Sequence, residues 1–209
     1  MKVVAINGSS RKNGNTASAL DAASAVLEEE GIRTARIEIG SLAFHGCIGC
    51  GTCRSKQNRR CRLDGDELNS NLETLFAADG ILLGSPVYYA GINGALKSFL
   101  DRAFFVAGAN GGLFRHKVGA ALVAVRRGGA ATALDQLNKY LGICEMFIPT
   151  GNYWSMVYGQ APGEAARDDE GMQCVRVLAA NMAWLLKSVA AGRGSLPPPQ
   201  TKAMMNFIR

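Results

Sequence analysis

Short apolar runs rich in β-branched residues alternate with helix-period segments along this 209-residue chain, and that alternation restricts its fold more than any other feature. The run KVVAIN (2–7) is almost wholly apolar and ends at Gly8, the pattern of a parallel strand buried on both faces. Leu20, Ala23 and Leu27 then mark a helix that stops at Gly31, and RTARIEI (33–39) reads as a second strand. Asp66 is placed to cap a helix whose inner face is Leu68, Leu72, Leu75 and Phe76, and ILLGS (81–85) is a third strand. A helix with Leu96, Phe99, Leu100, Ala103 and Phe104 on one face leads to VGAALVAV (118–125), the fourth strand. Leu134, Leu137 and Leu141 define the next helix, and EMFIP (145–149) supplies a fifth strand. The last helix opens with Asp168, Asp169 and Glu170 at its positive end and carries Val175, Leu178, Met182, Leu185 and Val189 inward. This order predicts an α/β fold: a doubly wound, five-stranded parallel sheet with helices on both faces. Its ligands are expected at the carboxyl ends of the strands, beside the topological switch point.

One domain is expected over 1–190. Within it, 42–65 holds neither period and reads as a loop insertion, and a tail over 191–209 contains GRGSLPPPQ, which cannot continue a helix. The N-terminus shows no secretory apolar core, and no unbroken apolar run approaches the roughly 18 residues of a membrane span, so a cytoplasmic chain without a membrane partner is expected. The formal charge of +6 raises nucleic acid as a partner, but nucleic-acid binding is not expected. The excess is local, with Arg54, Lys56, Arg59, Arg60 and Arg62 close together, either a solvated face or a patch for an anionic partner.

The loop after strand one, NGSSRKNGNT (7–16), places glycines, hydroxyls and two cations before a helix N-terminus. Backbone N–H groups there favour an anion, to which Ser9, Arg11, Asn15 and Thr16 add side-chain donors, and a phosphate is the natural guest. Neither G-x4-G-K-[ST] nor G-x-G-x-x-G is present. In the loop after strand three, Pro86 stiffens the backbone, Tyr88 and Tyr89 offer planar faces, and Ala90 and Gly91 let main chain approach a ligand edge. That chemistry suits a flat isoalloxazine ring. After strand four, Gly128 and Gly129 permit close approach, while Arg126 or Arg127 can neutralise a reduced ring or a nucleotide phosphate.

Four of the six cysteines, Cys47, Cys50, Cys53 and Cys61, form C-x2-C-x2-C-x7-C inside the insertion. In a reducing compartment such an array is a metal or redox group more often than a disulfide staple. Three thiols at this spacing suit a cuboidal iron-sulfur cluster, whereas structural zinc sites more often pair two C-x2-C knuckles. Reduced thiols or an oxidised pair remain the alternatives. His45 adjoins the array, and Cys144 and Cys174 read as small buried apolar residues.

Gly8 to Thr16 resembles the phosphate loop G-S-P-R-x-x-G-N-T of the flavodoxin-like NAD(P)H-dependent FMN reductases, with Ser10 where that family commonly has Pro. Ser85 to Tyr88, Lys97, Phe99, Asp101 and Arg102 resemble its S-P-V-Y-x(n)-K-x-F-x-D-R motif. Residues 124–132 and GNYWSMVYG (151–159) are similar to its iron-sulfur flavoprotein branch. The resemblance implies strand order 2-1-3-4-5 and FMN held by Ser9, Arg11, Gly14, Asn15, Thr16, Pro86, Val87, Tyr88, Tyr89, Gly91, Arg126, Arg127 and Gly128. It also implies a [4Fe-4S] cluster on Cys47, Cys50, Cys53 and Cys61. NAD(P)H or a reduced carrier is then the electron donor, to an unidentified acceptor, with no side chain needed as acid or base. A homodimer or homotetramer is implied, with Trp154 and Met156 either lining a neighbour's site or packing in the core. Asp101 and Arg102 are expected to serve helix packing and pairing. The alternative is a non-catalytic carrier exchanging electrons with ferredoxin-like partners.

Overall fold

A computed structural model describes residues 1–205 and 207 of the chain. The first apolar run forms β1 (Lys2–Asn7), and its residues from Val3 onward are buried, as a strand covered on both faces requires. The chain then winds through helix α1 (Asn15–Glu29) to β2 (Arg33–Glu38), which pairs in parallel with β1 on one side. Residues 42–65 are mostly irregular and contain only the five-residue helix α2 (Thr52–Lys56). Helix α3 (Leu68–Phe76) leads to β3 (Gly80–Tyr88), which pairs with β1 on its other side. The direction of winding therefore reverses at β1, and the carboxyl ends of β1 and β3 frame the switch point.

After β3 the chain makes a two-residue hairpin through Tyr89 and Ala90 into the short antiparallel strand β4 (Gly91–Ile92). Helix α4 (Gly94–Ala109), β5 (Val118–Val125), helix α5 (Ala130–Ile143), β6 (Met156–Tyr158) and helix α6 (Asp169–Ala191) follow. The main sheet runs β2-β1-β3-β5-β6, with β4 hydrogen-bonded to β3 off that path. This is the expected parallel order, with a sixth short strand added.

The edge strand differs from expectation. Of EMFIP (145–149), only Phe147 bridges the sheet, opposite Val118, and the strand proper is β6. Phe147 donates its N–H to Lys117 O and accepts from Gly119 N, and Pro149, two residues on, has no N–H to continue the ladder. The chain leaves and rejoins where Val123 N donates to Ser155 O, so one edge position is filled by two separated pieces.

Both sheet faces are covered. Leu72, Phe76, Leu96, Phe99, Leu137 and Leu141 from α3, α4 and α5 pack on one, and Leu20, Leu27, Val175, Leu178 and Met182 from α1 and α6 on the other. Toward the end of α6 the buried residue is Leu186, with Leu185 and Val189 half-buried beside it. By length and composition alone α6 could cross a membrane, with 23 residues and a mean hydropathy of 1.3 over its most apolar window. In this fold, however, one face of it is core.

Phe44, at the entrance to the cysteine segment, meets Phe99 of α4 edge to face, ring centres 5.3 Å apart. Phe99 is wholly buried, so Phe99→Ala should cost about 3–5 kcal/mol of unfolding free energy in urea titrations.

Candidate functional site

Asn93 is a buried amide at the junction of three loops. Its Nδ2 donates to Gly8 O at 2.8 Å, after β1, and to Gly40 O at 3.1 Å, after β2. Its backbone N–H donates to Ser85 Oγ in β3, and its Oδ1 accepts from Ala95 N, capping α4. Asn7, fully buried at the end of β1, works on the same loop: its Oδ1 accepts from Ser9 N, and its Nδ2 donates to Glu38 Oε2 at 2.8 Å. Gly40 completes the packing, because a Cβ there would lie 2.2 Å from the Ser9 carbonyl carbon and 2.3 Å from Gly8 O. The candidate phosphate loop is thus set against the sheet by buried hydrogen bonds and one close backbone approach.

Above this floor is a cleft. Ser9, Arg11, Gly14, Asn15 and Thr16 line it from the first loop, Pro86, Val87 and Tyr88 from β3, and Arg126 from the end of β5. Ala124, Gly159 and Gln160 line it as well and were not anticipated. No side chain caps the N-terminus of α1, which leaves its first N–H groups directed at the cleft mouth. Ser9 Oγ accepts from Arg11 N, and Arg11 Nη1 donates to Gln160 O at 3.2 Å, so the cation is tethered beside the cleft. Asn15 lines the cleft, and its Oδ1 accepts from Ala165 N. Ser10, the departure from the family wording, shares a 3.0 Å hydrogen bond with Tyr88 OH and links the phosphate loop to the ring loop.

Tyr89, Gly91, Arg127 and Gly128 do not line this cleft. Tyr89 is the fully exposed tip of the hairpin, at φ 48°, and Arg127 lines an adjoining depression with Arg126 and Tyr158. Of the two glycines expected to permit close approach, Gly129 does so, with φ 88° and an added Cβ that would stand 2.6 Å from Ala90 Cα, whereas a Cβ on Gly128 would meet nothing within 4 Å. Trp154 is 60% exposed, against the expectation of core packing, whereas Met156 packs on the core.

The second locus lies against α4. Cys47, Cys50, Cys53 and Cys61 are free thiols that line one mainly apolar cavity, closed by Phe105, Val106 and Arg102 of α4 and by Arg62. Among the described residues no three His, Cys, Asp or Glu groups stand at metal-binding distance, so the array fits a metal by donor type and facing, not by closed geometry. Gly49 and Gly51 have positive φ, which turns the backbone between the thiols. Hydrogen bonding to Thr52, with Arg62 nearby, holds the exposed Cys50 thiol below its ordinary value. Burial pushes Cys53 up, and nearby Cys61 and Cys47 add to the shift.

Arg102 is fully buried and ion-paired with Asp66. Its Nη1 also donates to His45 O at 3.3 Å, its Nη2 to Leu63 O at 2.7 Å, and its Nε to Cys61 Sγ at 3.3 Å. Asp66 lies one residue before the α3 cap, Glu67, and its Oδ1 accepts from Leu68 N at 3.2 Å. Burial raises the Asp66 pKa, but the Arg102 hydrogen bond and the Leu68 N–H outweigh it and hold the carboxyl below its usual range. Asp101 takes the expected pairing role with Lys97 and Tyr140.

The sheet order and the cleft at the switch point define a flavodoxin-like α/β protein. A flavodoxin, WrbA-like protein from Agrobacterium tumefaciens superposes with TM-score 0.58 at 17% identity, covering 90% of this chain and 97% of that one. More particularly, the NADPH-dependent FMN reductase family matches residues 1–161, and the chain belongs to it. It is 35% identical over 196 residues to an iron-sulfur flavoprotein of Methanocaldococcus jannaschii, covering 90% of this chain and 99% of the relative. An iron-sulfur flavoprotein of Methanosarcina thermophila is 31% identical over 195 residues, with 92% and 99% covered. The protein is therefore an FMN-dependent oxidoreductase.

Two outcomes follow. Asn93→Asp would set a carboxylate oxygen against the carbonyls of Gly8 and Gly40 and should lower stability by about 2–4 kcal/mol, read from the denaturant midpoint. The lowered Asp66 pKa gives stability that is complete above the ordinary carboxylate range near pH 4 and is lost as pH falls through the folded-state value. Asp66→Asn should therefore flatten the fall in melting temperature between about pH 5 and 3.

Proposed function

We propose that this protein takes electrons from NAD(P)H, or from a reduced carrier, at FMN held in the cleft and passes them to an acceptor through a [4Fe-4S] cluster on Cys47, Cys50, Cys53 and Cys61. The carrying observation is that four thiols spread over a 15-residue segment line a single cavity against α4, the helix whose capping residue anchors the cleft loops. When bound, FMN supplies exchange between electron pairs and single electrons, and the cluster supplies single-electron transfer.

The chain's own groups do the positioning. The uncapped start of α1 and the Arg11 cation receive the phosphate, with Ser9 and Thr16 at the same wall. Pro86, Val87 and Tyr88 form the wall for the flat ring, and Arg126 sets a positive charge near it. Tyr89, Gly91, Arg127 and Gly128 act outside that wall, as hairpin tip, hairpin closure and approach from the solvent side. The exposed Tyr153, Trp154 and Trp184 support assembly into a homodimer or homotetramer.

A second reading, a carrier that accepts electrons from an acidic ferredoxin-like protein, is favoured by the exposed Arg54, Lys56, Arg59, Arg60 and Arg62 around the array. Stopped-flow mixing with NADH and NADPH separates the two, since a pure carrier is reduced slowly by both.

Protein purified anaerobically should show flavin bands, together with iron, sulfide and a broad absorbance that bleaches with dithionite. Protein that stays colourless after FMN is added would sink the proposal. Arg11→Ala should weaken FMN binding by about tenfold or more, as loss of a charge-assisted hydrogen bond requires, while Lys12→Ala changes it little. Equal effects would remove Arg11 from the phosphate contact.

A further inference from the structure

We infer that Arg102 is a positioning residue for the fourth thiol of the array: its guanidinium holds Cys61 Sγ toward the cavity that the other three cysteines line. The inference rests on the cluster reading for the purpose of that thiol. The hold itself is a property of the chain.

Cys61 lies eight residues beyond Cys53, across a basic segment in which Gln57 and Arg59 have positive φ. Nothing in that spacing directs its sulfur back to the array. The direction comes from α4. Arg102 is the largest fully buried side chain among the described residues, and its five N–H donors meet four different partners: Asp66, His45 O, Leu63 O and Cys61 Sγ. His45 and Leu63 bracket the whole array, one before Cys47 and one after Cys61, so a single planar cation ties both ends of the segment to one helix.

The loop contributes a second set of ties around the same cysteine. Asn69 Oδ1 accepts from Cys61 N at 2.9 Å, and its Nδ2 donates to Cys61 O at 3.0 Å, which fixes the backbone on both sides of Cα. With the backbone held by Asn69 and the sulfur by Nε of Arg102, Cys61 has little rotational freedom. Cys47 and Cys50 are exposed, and the hydrogen bond of the Cys50 thiol is to Thr52 of its own turn rather than to α4. The array is therefore asymmetric: of its four thiols, Cys61 is the one tied to the buried side of α4. An N–H···S bond from a permanent cation also draws negative charge from that sulfur, which makes an iron centre bound to it easier to reduce.

The test uses anaerobically purified, FMN-loaded protein treated with a chelator. Iodoacetamide alkylation is followed at each cysteine by mass spectrometry in wild type, in Arg102→Lys and in the neutral pair Arg102→Gln with Asp66→Asn. Lysine keeps a charge for Asp66 but cannot reach all four partners, and the neutral pair leaves no lone buried charge. Retained FMN and an unchanged circular dichroism spectrum report folding. The expected result is that Cys61 alkylates about fivefold faster in both variants, the equivalent of one lost hydrogen bond, with Cys47 within about twofold of wild type. Unchanged Cys61 reactivity in folded variants overturns the inference. So does a parallel rise at all four cysteines, which would mean that Arg102 merely holds the loop together. Samples are then reconstituted with ferrous iron and sulfide, and the cluster of Arg102→Lys should reduce at a lower potential than that of wild type. If wild type takes up no iron while Cys61 alone is released in the variants, the cluster reading fails and the positioning role stands.

Discussion

The side-chain amide of Asn93 holds the working edge of this protein together. Parallel sheets end in loops that have no ladder to complete, and here the loops after β1, β2 and β3 converge on one buried residue that offers two donors and an acceptor. Each of its hydrogen bonds is modest once exchange with water is counted, but leaving the Gly8 and Gly40 carbonyls buried without a partner costs more than any one of them contributes. The same residue caps α4, so the geometry of the cleft and the placement of that helix are set together.

Arg102 does for the cysteine segment what Asn93 does for the cleft, at greater risk. Burying an ion pair removes two charges from water, and the pair with Asp66 is tolerated because the remaining guanidinium donors find His45 O, Leu63 O and Cys61 Sγ. A long, irregular segment with few buried side chains has little hydrophobic reason to adopt one conformation. Phe44 against Phe99, Asn69 around Cys61 and Arg102 at both ends supply that reason through specific contacts.

Much of the fold was legible because buried parallel strands and amphipathic helices carry different periods, and KVVAIN or VGAALVAV leave little choice between them. EMFIP misled because an apolar run ending in proline satisfies the pattern of a strand while lacking the donor to extend one. The phosphate-loop residues were legible as chemistry next to a strand end. Asn15 adds what spacing does not show, since its Oδ1 also accepts from Ala165 N, 150 residues away. Asn93 had a weak signal, a capping residue before a helix, but its reach to Gly8 and Gly40 depends on topology. Gly40 had none, because a close approach is a property of two segments, whereas Gly129 was legible as a glycine just past a strand end. Arg102 was read as a pairing residue, and its sulfur contact could not be read from spacing.

Helix α4 joins the two loci and sets their spacing in phase as well as length. Asn93 stands at its first turn and Arg102 nine residues on, about 13 Å along the axis at 1.5 Å per residue. Each residue also turns the helix by about 100°, so inserting or deleting one between them would swing Arg102 away from Asp66 while Asn93 stayed with the cleft. The distance between the two candidate centres is therefore kept by a helix that can be neither stretched nor shortened by one step without moving Arg102 off Asp66.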